Sequence, residues 1–193
     1  TLDFHNKAFE ILELLDDGQR ARVLTSLVPL LENAARSEEQ ISWQSPVNLV
    51  EPLHRAFREL ADLTEEGNGT AVAEIGDAEA DKLVRLLTGD RPLDTVEALT
   101  AALRNGMPAR KLARLIALAA AERIAKFHTQ NEFGDWITVL HSFTHAHAAH
   151  ECIIRTDDPN TVRALYYAAV SIYLNRFLNI PPAPEPRAAQ GAA

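Results

Sequence analysis

The chain has 193 residues, 47% of them hydrophobic and 24% charged, with a formal net charge of −8 at pH 7; that length suits one domain or two small ones with a sizeable core. The acidic balance argues against nucleic acid or an anionic membrane as the main partner. The single cysteine, Cys152, excludes an intramolecular disulfide and a Cys-based zinc or iron–sulfur centre, and fits a reducing, cytoplasmic setting.

In chain order, 2–16 is amphipathic, with Leu2, Phe4, Ala8, Ile11, Leu12 and Leu15 at helical spacing and Gly18 as a stop. A second helix is expected over 19–36, kinked or broken at Pro29. The stretch 37–45 is polar with Trp43 as an anchor, and Pro46 and Pro52 each suit a first helical turn, leading to a helix that carries His54, Phe57, Leu60 and Leu63. Gly67-Asn68-Gly69 is the clearest internal break, a subdivision within a domain spanning 1–180. Beyond it Asp77 is expected to cap a helix stopped at Gly89. Asp94 with Glu97 fits a capping box that opens a helix ending at Asn105-Gly106. Pro108 starts a long helix to about Phe127, with Arg110, Arg114 and Arg123 facing outward. The last helix follows Asp158-Pro159 and buries Leu165, Tyr166, Ala169, Ile172, Tyr173 and Phe177, and 181–193 is a Pro/Ala-rich tail or linker. No strand-like alternation stands out. The expected fold is all-α, seven or eight helices packed as a bundle or a two-layer array.

Between these last two long helices lies the stretch that organises the functional reading, DWITVLHSFTHAHAAHECIIRT at 135–156. It reads as one helix of about six turns, capped by Asp135 and ended by Asp157-Asp158-Pro159. It holds His141, His145, His147 and His150. At about 100° per residue, His141 and His145 share one flank, while His147 and His150 lie on a nearly opposite face among Trp136, Val139, Leu140, Phe143 and Ile154. The second pair is therefore expected to face the packed side. Imidazoles one turn apart offer two nitrogen donors to one ion. Any one of them alone reads better as a core histidine bonded to a carbonyl, but four within ten residues favour a site.

His5, His54 and His128 fall on or beside other predicted helices, and bundles build metal sites from inward side chains of several helices. Histidines with few paired carboxylates suit Fe(II), Zn(II), Cu(II) or Ni(II) better than Mg(II) or Ca(II). Glu132, Asp135, Glu151 and Asp157 stand nearby as acceptors for ring N–H groups. Glu51-Pro52-Leu53-His54 has one Glu-x-x-His pair where a di-iron bundle needs two. Classical nucleotide loops and a G-x-S-x-G elbow are absent, and Cys152, in mid-helix, suits packing better than nucleophilic catalysis. No run approaches the ~20 apolar residues of a membrane span and no signal-peptide pattern is present. The first residue is Thr1 rather than Met, which reads as a processed chain or a piece of a longer one.

The strings DFHNKAFEIL, AARSEEQISWQSPVNLV, RIAKFHTQNEFGDWITVLHSFTHAHAAH and YLNRFLNIPPA resemble a helical region of bacterial proteins in which it is joined to a Rieske-type iron–sulfur domain. That region is distantly similar to the questin oxidase-like group, helical oxygenases with a non-haem metal held mainly by histidines. The resemblance implies a non-haem iron oxidoreductase acting on a small aromatic or polyketide-like substrate. It also implies a Rieske-type redox partner domain, with His5 and His141 as corresponding ligand candidates, followed by His54, His128 and His145. A Rieske cluster needs two cysteines and two histidines, so one cysteine cannot hold that cluster in this chain. The alternative expectation is a non-catalytic helical module that docks or oligomerises beside a redox domain, with its histidines as satisfied core polar groups.

Overall fold

The computed structural model describes residues 2–65, 76–156 and 158–183, with the side chains of 61–65 excepted. Among these every regular element is helical. The α-helices are α1 Leu2–Leu12, α2 Asp17–Glu32, the single turn α3 Ile41–Gln44, α4 Val50–Glu65, α5 Asp77–Leu87, α6 Pro92–Arg104, α7 Ala109–Ala125, α8 Phe133–Arg155 and α9 Arg163–Leu174. Short 3₁₀ turns cover Ser37–Glu39, Pro159–Val162 and Asn175–Leu178. The subdivision at 67–69 and most of the 181–193 tail lie outside the described residues.

Local chemistry sets most boundaries. Asp16 caps α2 in a reciprocal box, its carboxylate accepting from the Gln19 amide while the Gln19 side chain accepts from the Asp16 amide. Gly106, at φ 85°, closes α6: its amide donates to Leu103 and the Met107 amide to Ala102, the paired bonds of a Schellman stop that favours glycine.

Several expected caps fall elsewhere. Helix α5 starts at Asp77 itself, α6 at Pro92 and α8 at Phe133, and none of the three has a side-chain cap. Asp94 and Asp135 thus sit inside the first turn, where a carboxylate still favours the positive end of the helix dipole. Pro29 lies within α2 without ending it, and the missing hydrogen bond falls on an exposed helix near its C-terminus. Pro46 follows a cis peptide bond rather than opening a helix.

The core is built around α9, of whose twelve residues Leu165, Tyr166, Ala168, Ala169, Val170, Ile172 and Tyr173 are buried. It packs against α8, α7 and α6, and Phe57 of α4 meets Tyr166 edge-on with ring centroids 5.7 Å apart. Trp43 anchors the polar stretch before α4, as its sequence context implies, 5.7 Å from the Tyr167 ring.

The α7–α8 pair is the most extensive contact in the molecule. On α8 its buried residues are Val139, Ser142, Ala146, Ala148 and Ala149, and on α7 they include Ala113, Ala119 and Ala120. Small side chains let two helix axes approach closely. Arg123 is buried rather than outward: its Nη2 donates to the Thr88 carbonyl at 2.6 Å, tying α7 to the end of α5. The outermost elements are α1 and α2, which between them bury only Asn6 and Leu27.

Candidate metal centre

Helix α8 meets α1 along a polar seam. Asp3, Asn6 and Glu10 recur at i, i+3 and i+7 and so line one face of α1. Thr144 donates to Asp3 Oδ2 at 2.7 Å, and the Nδ1 atoms of His141 and His145 lie 3.4 and 3.9 Å from the same carboxylate. Asn6, buried, donates to Glu10 Oε1 at 2.8 Å and accepts from Arg155. Burial alone would raise the pKa of Asp3, but the Thr144 hydroxyl and nearby positive charge outweigh it and hold the carboxyl below its ordinary value. Burial pushes the His145 imidazole down, with Asp3 opposing, so its neutral form is favoured.

At the edge of this seam three donors converge. One ligand atom from each of His147, His150 and Glu151 lies within 4.8 Å of the other two, and this is the one such group among the described residues. Spacing of i, i+3 and i+4 explains it: on a helix these positions fall within about 100° of arc. His150 Nδ1 is 3.0 Å from Glu151 Oε1, close to the separation of two ligands on one ion with bonds of ~2.0–2.2 Å. The buried Nε2 of His150 has no hydrogen-bond partner among the described residues. Glu10 Oε1 stands 3.8 Å from His147 Nε2 and extends the donor set from α1. His150 is the more enclosed ligand, its side chain 16% exposed, whereas that of His147 is 42% exposed.

The other expected ligands are placed apart. His5 and His145 do line one cleft of about 590 Å³, together with Glu38, Tyr167, Leu31 and Ser171. Within it the Tyr167 hydroxyl donates to Glu38, and burial with that bond raises the phenol's pKa. His145 and His147 project about 160° apart, so the cleft and the triad open on different flanks of α8. His141 is exposed beside Asp3. His54 is exposed on α4, which packs chiefly on α6, and Glu51 pairs with Arg58 at 3.8 Å, not with a second carboxylate-rich helix. His128 is held in the α7–α8 connection: its amide donates to Asn179 Oδ1 at 2.9 Å and its Nδ1 accepts from the Gln130 amide at 3.1 Å. Burial pushes the Cys152 thiol up, consistent with a packing role.

A comparison with protein-family models, curated proteins and solved structures finds no match to this chain.

The triad includes a residue that the sequence reading assigned only as a nearby acceptor, Glu151, and two histidines that it assigned to the packed side. The signal was present as His-x-x-His-Glu in HAAHE. No described helix is long and apolar enough to cross a membrane.

Proposed function

We propose that this chain is a metal-binding helical domain of the oxidoreductase type, with His147, His150 and Glu151 as ligands of one divalent transition ion such as Fe(II). The observation that carries the reading is the convergence of two imidazoles and one carboxylate within 4.8 Å. Two histidines and a carboxylate with open positions are the donor set of non-haem Fe(II) oxygenases, and His₂Glu also serves catalytic Zn(II). Bound there, such an ion supplies Lewis acidity or one-electron chemistry at its free positions. The protein's part is to fix the ligands: α8 sets their spacing, Arg155 Nη2 lies 3.8 Å from Glu151 Oε2, and Glu10 approaches from α1. A small aromatic or polyketide-like substrate and a Rieske-type redox partner belong to the proposal through the family resemblance.

Elemental analysis of untagged protein tests it, with His147→Ala, His150→Ala and Glu151→Gln beside His141→Ala and His54→Ala. The expected result is about one ion per chain, lost in the first three variants and kept in the last two. A metal-free wild type, or loss of metal in His141→Ala but not in His147→Ala, would sink the assignment.

The second reading, a docking or oligomerisation module, has its own support: the α8 face around the triad is apolar and open to solvent.

A further inference from the structure

Helix α8 carries a stripe that the fold covers only in part, most open at Phe133 and most enclosed at His150. Phe133, Leu140, Phe143, His147, His150 and Ile154, with Trp136 between the first two, fall at alternating steps of three and four residues over three heptads. That is the a/d pattern of a coiled-coil seam. Trp136 is half-buried against Phe127, 5.0 Å between ring centroids, but Phe133 is 80% exposed, and Leu140, Phe143 and Ile154 are 42%, 39% and 49% exposed. A patch of this kind is comparable with the largest on a typical monomer, and such patches often mark binding surfaces.

We infer that a second copy of this chain packs on the α8 stripe about a two-fold axis. Three features select that occupant. Homodimeric coiled coils pair a heptad seam with a second copy of itself, and an isologous contact places the same patch on both sides. Two carboxylates stand beside the seam, Glu151 on α8 and Glu10 from α1, and each has a neighbour in its own chain, Arg155 at 3.8 Å and His147 at 3.8 Å, so two copies meet without a bare charge cluster. The area also matches. The stripe with Ile137 exposes on the order of 450 Å² of apolar surface, and a standard interface covers about 800 Å² on each partner, a little over half of it apolar. His147 and His150 occupy one a and one d position, where polar residues fix register.

The pairing stands on the stripe, and its consequence for the ion rests on the metal reading above. His147 faces solvent in one chain, and the second copy covers it, so that the open side of the ion is walled by apolar side chains and cleared of bulk water.

Sedimentation of the 193-residue chain from micromolar to hundreds of micromolar concentration tests the pairing, once stripped with chelator and once with Zn(II) added. Dimer is expected in both samples, with Phe143→Asp raising the dissociation constant at least about a hundredfold. Ile154→Lys, at the C-terminal end of the stripe, does the same if Phe143→Asp fails to fold. A wild type that stays monomeric with and without Zn(II), or a dimer indifferent to both substitutions, overturns the inference. Zn(II) uptake by the monomeric variant reads the triad separately: uptake without pairing leaves the metal assignment standing alone, and pairing without uptake leaves the interface alone.

Discussion

Two stripes run side by side along α8, one residue out of register. Val139, Ser142, Ala146 and Ala149 are small and buried, whereas Leu140, Phe143, His147 and Ile154 are larger and at least two-fifths exposed or close to it. Hydropathy alone ranks them the wrong way round, and it places His147 on the packed side together with His150, of which only His150 is enclosed. Shape decides instead. A neighbour as rich in alanine as α7 lets α8 come close only through its own small residues, and a phenylalanine there would hold the two helices apart. The bulky stripe is displaced by about 100° and left for another partner.

Enlarging the buried stripe separates the two faces most clearly. Ala146 is fully buried, and Ala146→Leu is expected to cost about 1–3 kcal/mol through overpacking, measured by denaturant unfolding. The mirror-image change at the open end of the exposed stripe, Phe133→Ser at a residue 80% exposed, is expected to stay within about 0.5 kcal/mol in the monomer. Equal losses in both would mean that the two faces do not differ as described.

A second contrast lies between these faces and the polar seam to α1. Asn6→Ala removes a buried amide bonded to both Glu10 and Arg155, and an expected loss of about 1–2 kcal/mol should appear in the same unfolding curves.

The smallest effect is the pH dependence of that seam. His145 has a lowered pKa, so its contribution is complete above its ordinary value of 6.5 and declines as pH falls through 6.5 toward the folded value. Asp3, also lowered, keeps its contribution above 3.8 and loses it as pH drops further. Acidification should therefore loosen α1 in two steps. Asp3→Asn should flatten the lower step, and an acid titration unchanged by that substitution would count against this account.

Much of the architecture was legible because it is local. The Asn105-Gly106 stop, the Trp43 anchor and the buried face of α9 all follow from residues within a few turns of each other. The candidate site was legible only in part. The histidine-rich stretch was evident, and the i, i+3, i+4 run that joins His147, His150 and Glu151 is also local, but it was masked by the assumption that large apolar neighbours mark the inside. Asp3 and Glu10 could not be read as partners of α8, since they lie about 140 positions away and meet it only through the tertiary fold. His54 and His128 lie on elements away from the triad, and nothing in their immediate sequence separates a ligand from a loop-holding or exposed imidazole.

The shallow seating of α1 and α2 has a kinetic side. With Asn6 and Leu27 as their buried residues, these two helices bury little, and α1 is tied to α8 by the Thr144–Asp3 and Arg155–Asn6 hydrogen bonds, whereas α7, α8 and α9 share a packed interior. Local openings draw on the least apolar contact, so the α1–α2 arm is expected to open at a lower free energy than the α7–α9 interior. The arm's amide protons are then expected to exchange through that local opening rather than through global unfolding. Each excursion carries Glu10 away from His147, which makes access to that edge of α8 a property of the arm's opening equilibrium.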